Sequence, residues 1–423
     1  MIQCRAKRRP PAQQVLVAAL SATIVLSAGC TSVVAGSATK SGGPAPPAAN
    51  LALLDPGNYP RAPRPALGTV PSADAGARVE AQRMADIVVG PWDVDRKLIA
   101  GQSDVAPTTA LPDAAALTAL VFGASISAQA SGHHFVVGFV SGRKTVEAPA
   151  GQPTPADKPK ILDNAVLRFP TPQDAQAAVT EMAAANLALP REGNVAPTRL
   201  QIPGHPTTLA NIAAVSGGFE AESFTAHGMY VCFQYAGSKE SADVVADMIG
   251  KTLDLQAPLI DHFQPTPLDQ LAAMNADPTG LLARTVPTSN PGVNQAAVYE
   301  PRGALHFRPD PPATQTMFDD AGIQHVAVDR TTVYEAVDAT GATRAVDGLV
   351  RIDVPYLGYK SAPGISGLPS ARCWDRGPSD PDLAALRYLC IAAGAHYAFK
   401  ATAAQELDAH QVMAAQYLML VGS

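Results

Sequence analysis

The stretch Val15–Cys30 decides in which compartment the rest of this chain folds, and so what can hold the fold together. It reads Val-Leu-Val-Ala-Ala-Leu-Ser-Ala-Thr-Ile-Val-Leu-Ser-Ala-Gly-Cys. Arg5, Lys7, Arg8 and Arg9 precede it, and no acidic residue comes before the cysteine. A basic head, a short apolar run and small residues at the exit make a secretory signal peptide. The run is too short to stay in a bilayer as a spanning helix, which takes about 20 apolar residues. Ser27-Ala28-Gly29-Cys30 has the ending of a bacterial lipobox, in which cleavage falls before a cysteine that carries the lipid. Ser27 departs from the Leu, Val or Ile usual at that place, and the alternative is an ordinary signal peptide cut near Ala28. Arg8-Arg9 leads into Pro10-Pro11-Ala12, without the apolar residues of a twin-arginine signal.

Cleavage before Cys30 leaves 423 − 29 = 394 residues, room for two or three domains. The leader holds four basic residues, so the mature chain has 31 − 4 = 27 basic against 37 acidic residues, a balance of −10. Nucleic acid wants a basic face, so it is excluded as a partner. A polybasic membrane contact is excluded on the same ground. The membrane is therefore reached through acyl chains on Cys30, with two or more needed to hold stably.

The cysteines follow from the compartment. Cys4 leaves with the leader and Cys30 is the lipid site, so Cys232, Cys373 and Cys390 face an oxidising environment. Cys373 and Cys390 are nearest in sequence and flank the polar stretch Trp374–Asp382. A bridge there is expected to contribute about 3 kcal/mol in the chain-entropy model. Cys232, in Met229-Tyr230-Val231-Cys232-Phe233, reads as a buried thiol and is the competing partner.

Thr31–Asn50 is Ser, Gly, Ala and Pro with one charge and cannot bury a core. Prolines 56, 60, 63 and 65 keep the next stretch extended, with Leu51, Leu53, Leu54 and Tyr59 able to lie on a surface. Residues 30–65 are thus a flexible tether. Ser72–Val89 reads as a helix, capped by Ser72 or Asp74, with Val79, Arg83, Met84 and Ile87 on one face. Gly90-Pro91 ends it.

Asp55-Pro56-Gly57-Asn58-Tyr59-Pro60, Glu80-Ala81-Gln82-Arg83, Val88-Val89-Gly90-Pro91-Trp92 and the closing Ala414-Ala415-Gln416-Tyr417 resemble an uncharacterised family of mycobacterial-type (actinobacterial) secreted lipoproteins. The resemblance runs through the mature chain. It implies a two-domain secreted lipoprotein and brings no catalytic residue.

Helices are expected over Pro112–Ser127, from Thr171 with Ala175, Ala178, Val179 and Met182 inward, and over Glu240–Leu253. His134–Val140 and Ala165–Phe169 read as strands. Leu200–Ile202, Asn211–Val215, Glu220–Thr225 and Met229–Tyr235 read as an antiparallel meander. Ala148–Lys160 is a Pro-rich loop. The second half echoes the first. Ala304–Phe307 matches Val166–Phe169, and Tyr388-Leu389-Cys390 matches Tyr230-Val231-Cys232. Between those landmarks the offset grows from 307 − 169 = 138 to 390 − 232 = 158, so Tyr356–Pro381 reads as an insertion that brings in Cys373. Gln324–Val328 and Thr332–Val337 echo the meander, with Asp338–Gly341 turning into a further strand. The expected fold is α+β. Two tandem units, 66–262 and 263–423, each carry an antiparallel sheet covered by helices and are either duplicated or unrelated.

No chemistry-bearing motif accompanies this pattern. There is no Gly-x-Ser-x-Gly, since Gly364-Ile365-Ser366-Gly367 lacks the spacing, and no phosphate or dinucleotide loop. His133-His134 point to opposite faces of a strand and do not chelate. Asp93/Asp95 and Asp380/Asp382 lack the Gly and distal Glu of a calcium loop. No metal or cofactor is therefore expected. Trp92 and Trp374 are core plugs or partner anchors. Two readings stand. One is a non-catalytic envelope protein binding a lipid, glycan or protein in a groove between its units. The other is an envelope hydrolase with a site assembled around His205 or His227.

Overall fold

The computed structural model describes residues 48–101, 108–146, 159–289, 296–356, 358–377 and 381–422. The signal peptide, Cys30 and most of the 148–160 loop lie outside the described residues. Ser72 Oγ accepts the Ala75 N–H at 3.2 Å and so starts helix α1 (Ala73–Arg83), with a 3-10 turn at Met84–Ile87 carrying the chain on. Helix α2 (Pro91–Val94), strands β1 (Leu98–Ala100) and β2 (Thr109–Leu111), and helices α3 (Ala114–Leu117) and α4 (Gly123–Gly132) follow. Ala114–Gly132 is uncharged, and apolar and long enough to cross a membrane by composition. Leu117, Ile126 and Ala130 bury instead in the cluster with Ala175, Ala178 and Val179.

Strands β3 (Val137–Thr145) and β4 (Lys160–Arg168) come next, then α5 (Pro172–Leu187), capped by Thr171. The expected meander is β5 (Thr198–Leu200), β6 (Leu209–Val215), β7 (Gly218–His227) and β8 (Tyr230–Ser238). Gly228, at φ 57°, supplies the left-handed residue of the two-residue turn between His227 and Tyr230. Helix α6 (Ala242–His262) closes the first half. All pairings are antiparallel, in the order β1-β3-β4-β8-β7-β6-β5, with β2 beside β3.

The second half holds β9 (Ala297–Tyr299), α7 (Pro301–Leu305), α8 (Pro311–Ala321), β10 (Ile323–Val328), β11 (Thr332–Ala336), α9 (Ala339–Tyr356), β12 (Lys360–Ala362), β13 (Arg372–Asp375), β14 (Tyr388–Gly394), β15 (Tyr397–Ala403) and α10 (Glu406–Val421). Its antiparallel order is β12-β13-β14-β15-β11-β10-β9. Reversed, the first sheet has the same path. A four-strand meander (β5–β8 or β12–β15) returns its last strand against an earlier one (β4 or β11), with α5 or α9 between. Both sheets are covered by helices, and the α+β expectation holds.

The repeat is real in topology, but the landmarks read from sequence are displaced. The starts of α5 and α9 are 167 residues apart, those of β8 and β15 are 167, and those of α6 and α10 are 164. No twenty-residue insertion is needed. Tyr356–Pro381 contains β12 and β13, counterparts of β5 and β6. Cys390 lies on β14, whose counterpart is β7, whereas Cys232 lies on β8. Ala304–Phe307 ends a short helix and is not a strand. Asp338 is no turn into a strand: its Oδ1 accepts the Gly341 N–H at 2.7 Å and starts α9. Ala342, Ala345, Val346 and Leu349 then bury one face at helical spacing.

Two further expectations change. Residues 48–65 are not a free tether. The Asn50 N–H donates to Gly367 O at 2.8 Å, Leu54 is buried in the core of the second half, and Tyr59 Oη donates to Asp408 at 2.6 Å. Gln411 Nε2 donates to Asp55 at 2.9 Å, and Arg64 Nη2 reaches Leu282 O at 2.6 Å. This strap binds the second half before the chain enters the first. The halves are also not separate bodies. One apolar cluster runs from Met84, Trp92 and Phe139 to Phe318, Tyr334 and Leu349, and the described residues of both halves fall in a single compact unit.

Cys373 and Cys390 face each other in the β13–β14 register and are joined by a disulfide. Cys232 is free and buried, its thiol pushed up to about 12 by burial.

Candidate functional site

The residues singled out for chemistry are placed singly. His133 Nε2 lies 3.0 Å from Glu181 and His134 Nδ1 3.9 Å from Asp174, so each takes its own acid and the two make no metal site. Asp93 is bound by Arg302 at 2.9 Å and Asp95 by Lys160 at 3.2 Å, so they do not converge. Asp380 lies outside the described residues, as does the side chain of Asp382. Trp92 and Trp374 are both buried. His205 Nε2 sits 3.1 Å from Asp254, and His227 Nε2 2.7 Å from Asp261. Among the described residues, neither imidazole ring hydrogen-bonds a serine, threonine or cysteine side chain. Cys373, Cys390 and His410 cluster at metal-ligand distances, but both sulfurs are committed to the disulfide.

A serine–histidine contact does exist, at the seam between the halves. His306 follows α7 and Ser141 lies on β3. Ser141 Oγ lies 2.8 Å from His306 Nδ1, while Nε2 lies 3.0 Å from Ala85 O. A carbonyl only accepts, so Nε2 carries the proton and Nδ1 accepts from the serine hydroxyl. Burial holds His306 down at about 3, hence neutral. Trp92 and Phe139 pack on its ring at centroid distances of 5.0 and 5.2 Å. Arg143 Nη1 donates to Ile99 O at 3.1 Å, and Nη2 donates to His306 O and to Arg308 O. Ser141 is fully buried and His306 is 1 % exposed, so no substrate reaches them. This is a polar latch in an apolar seam, not a nucleophile with its base.

The chemistry that does face solvent is in a pocket of about 640 Å³ a little along the same seam. Val79 and Arg83 of α1 form one wall, with Asp86 and Ile87 of the following turn. Leu259 and His262 at the end of α6, with Phe263 after them, form a second. The linker at Met274–Ala276 and strand β9 with Glu300 close it from the second half. The volume lies within the roughly 300–1,000 Å³ of small-molecule sites.

Its polar groups are unequal. Arg83 is committed: Nη1 donates to Glu80 at 2.6 Å and Thr266 Oγ1 at 2.9 Å, and the guanidinium lies 5.2 Å from the Phe263 ring centroid. Glu80, fully buried, is satisfied by Arg83, by Arg168 at 2.8 Å and by Thr266 N at 2.9 Å. Asp86 Oδ1 accepts the Gly303 N–H at 2.7 Å, and Oδ2 has no donor among the described residues. Burial pushes Asp86 up to about 6, against the Gly303 bond and helped by the Glu300 carboxylate. Among the described residues, the Glu300 carboxylate has only His325, at 3.8 Å. His262 Nδ1 donates to Pro258 O at 2.6 Å. The pocket therefore joins apolar walls to an end that carries two carboxylates, Asp86 and Glu300.

Neither Asp86 nor Glu300 stood out in the sequence. The available signal was an acid inside the apolar run Met84–Val89, and His306 inside Ala304–Phe307 is its counterpart. Such residues are placed by their neighbours in space, which a single sequence does not list.

The fold and the site define an α+β protein with a repeated sheet topology and a pocket lined by both halves. Residues 67–276 match the N-terminal model, and residues 281–423 the C-terminal model, of the domain of unknown function DUF7373. The chain belongs to that family. The junction of the two models falls in the linker after α6, somewhat later than the expected division at 262/263. No curated protein matches the chain. Among solved structures, the extracellular domain of PknH from Mycobacterium tuberculosis is similar at 16 % identity and a TM-score of 0.28, covering 43 % of this chain and 97 % of that domain.

Proposed function

We propose that this protein is an extracytoplasmic lipoprotein, held at the outer face of the cell membrane by acyl chains on Cys30, that binds a small ligand without transforming it. The observation that carries the binding reading is the seam pocket, whose walls come from both halves and whose Asp86 carboxylate keeps one oxygen without a donor among the described residues. The signal peptide and lipobox support the location. A site assembled from distant residues around His205 or His227 has no nucleophile beside either histidine among the described residues, and the one Ser–His contact found there is buried and neutral. The binding reading is therefore preferred to the hydrolase. Two measurements test it. Cys30→Ser should move the protein out of the detergent phase of fractionated cells; a variant that partitions with the wild type ends the lipid-anchor reading. Native mass spectrometry of protein extracted from membranes should show a bound small molecule that Val79→Trp, which fills the pocket wall, removes.

A further inference from the structure

We propose that the seam pocket takes an amphipathic amine: an apolar chain or ring system against its walls, and a protonated amino head at the end formed by Asp86 and Glu300. The inference rests on the binding reading above and gives it a ligand class.

The walls set the body of the ligand. Val79, Ile87, Leu259, Phe263, Met274 and Val298 contribute apolar surface, so burial there favours hydrocarbon. The end sets the head. Two carboxylates face the space, and the guanidinium groups nearest them, Arg83 and Arg302, make their hydrogen bonds elsewhere. Arg83 is held by Glu80 and Thr266, and Arg302 by Asp93 at 2.9 Å. A fatty acid or a phosphate head would bring a third negative charge to that end. A neutral alcohol would satisfy one acceptor and leave the charge uncompensated. An ammonium offers three donors and no acceptor, and meets both carboxylates with charge-assisted bonds. His262 at the far wall gives its Nδ1 proton to Pro258 O at 2.6 Å.

Three probes with one chain separate the elements of the claim: dodecylamine, dodecanol and laurate, each below its micellar concentration at neutral pH, titrated calorimetrically into the mature protein. The amine should bind at least tenfold more tightly than laurate, the size of effect one charge-assisted contact gives. Asp86→Asn should reduce that preference to less than threefold. Val79→Trp should abolish binding of all three. Equal affinities for amine and laurate, or an Asp86→Asn protein that keeps the full amine preference, overturn the ligand class and leave the pocket standing. No binding by any probe, or binding untouched by Val79→Trp, overturns the pocket itself.

Discussion

Asp86 is kept at a cost to the fold. Its carboxyl is half-buried, and in the folded protein it releases its proton near 6, above the ordinary value of 3.8. Between those two values the folded state binds more protons than the unfolded chain, so stability falls as pH rises through about 4 to 6. Above that window the penalty is fully present, on the order of 2 kcal/mol after allowing for partial exposure. Asp86→Asn keeps an oxygen for the Gly303 N–H and loses the charge. It should melt several degrees above the wild type at pH 7 and level with it near pH 4; a variant no more stable at pH 7 would refute this account. His306 works with the opposite sign. Its folded value of about 3 lies below the unfolded 6.5. The unfolded chain takes the proton first, so stability is present above 6.5 and is lost as pH falls toward 3. His306→Gln should show a shallower fall in urea midpoint between pH 7 and pH 4.5, and a fall as steep as that of the wild type contradicts the latch.

At the scale of elements, the strap and the repeat show where local pattern is enough. Proline spacing correctly keeps residues 51–65 out of helix, but Leu54, Tyr59 and Arg64 find partners 200 to 350 positions away, in α10 and the linker. Burying Leu54 anchors the strap. Leu54→Ala should cost about 2 to 3 kcal/mol in denaturant unfolding, as a core truncation does, and should speed protease cleavage between residues 48 and 65; an effect under 0.5 kcal/mol would mean that the strap is loosely held. The β5–β8 meander and helices α1, α5 and α6 were legible because each shows its own period, caps and turn residues. Helix α9 was misread because Asp338-Ala339-Thr340-Gly341 suits a turn as well as an N-cap. The choice between them lies in Ala342, Ala345, Val346 and Leu349 and the sheet they cover.

For the whole molecule, two copies of one topology share a single apolar cluster. A shared core resists independent motion and independent folding. The mature protein should unfold in one transition, with near-UV and far-UV signals coincident. Residues 66–280 expressed alone should expose the surface of Trp92 and Phe139 and aggregate. Two resolved transitions, or a soluble and cooperatively folded first half, would show that the lobes are separate domains.

The sequence by itself determined what depends on near neighbours: helices with caps, hairpins with their glycines, and the nearness of Cys373 to Cys390. Only the tertiary structure decided what depends on distant residues meeting. It set the strand order that carries the true repeat, and the shared cluster that makes one body of two lobes. It placed His306 between Ser141 and Ala85, and Asp86 at the acidic end of the seam pocket. The physical reason is range. Backbone hydrogen bonds and side-chain periodicity act over a few residues and leave a trace in the sequence. A pocket wall or a buried polar contact is set by which surfaces pack, and each side chain there looks ordinary in its own segment.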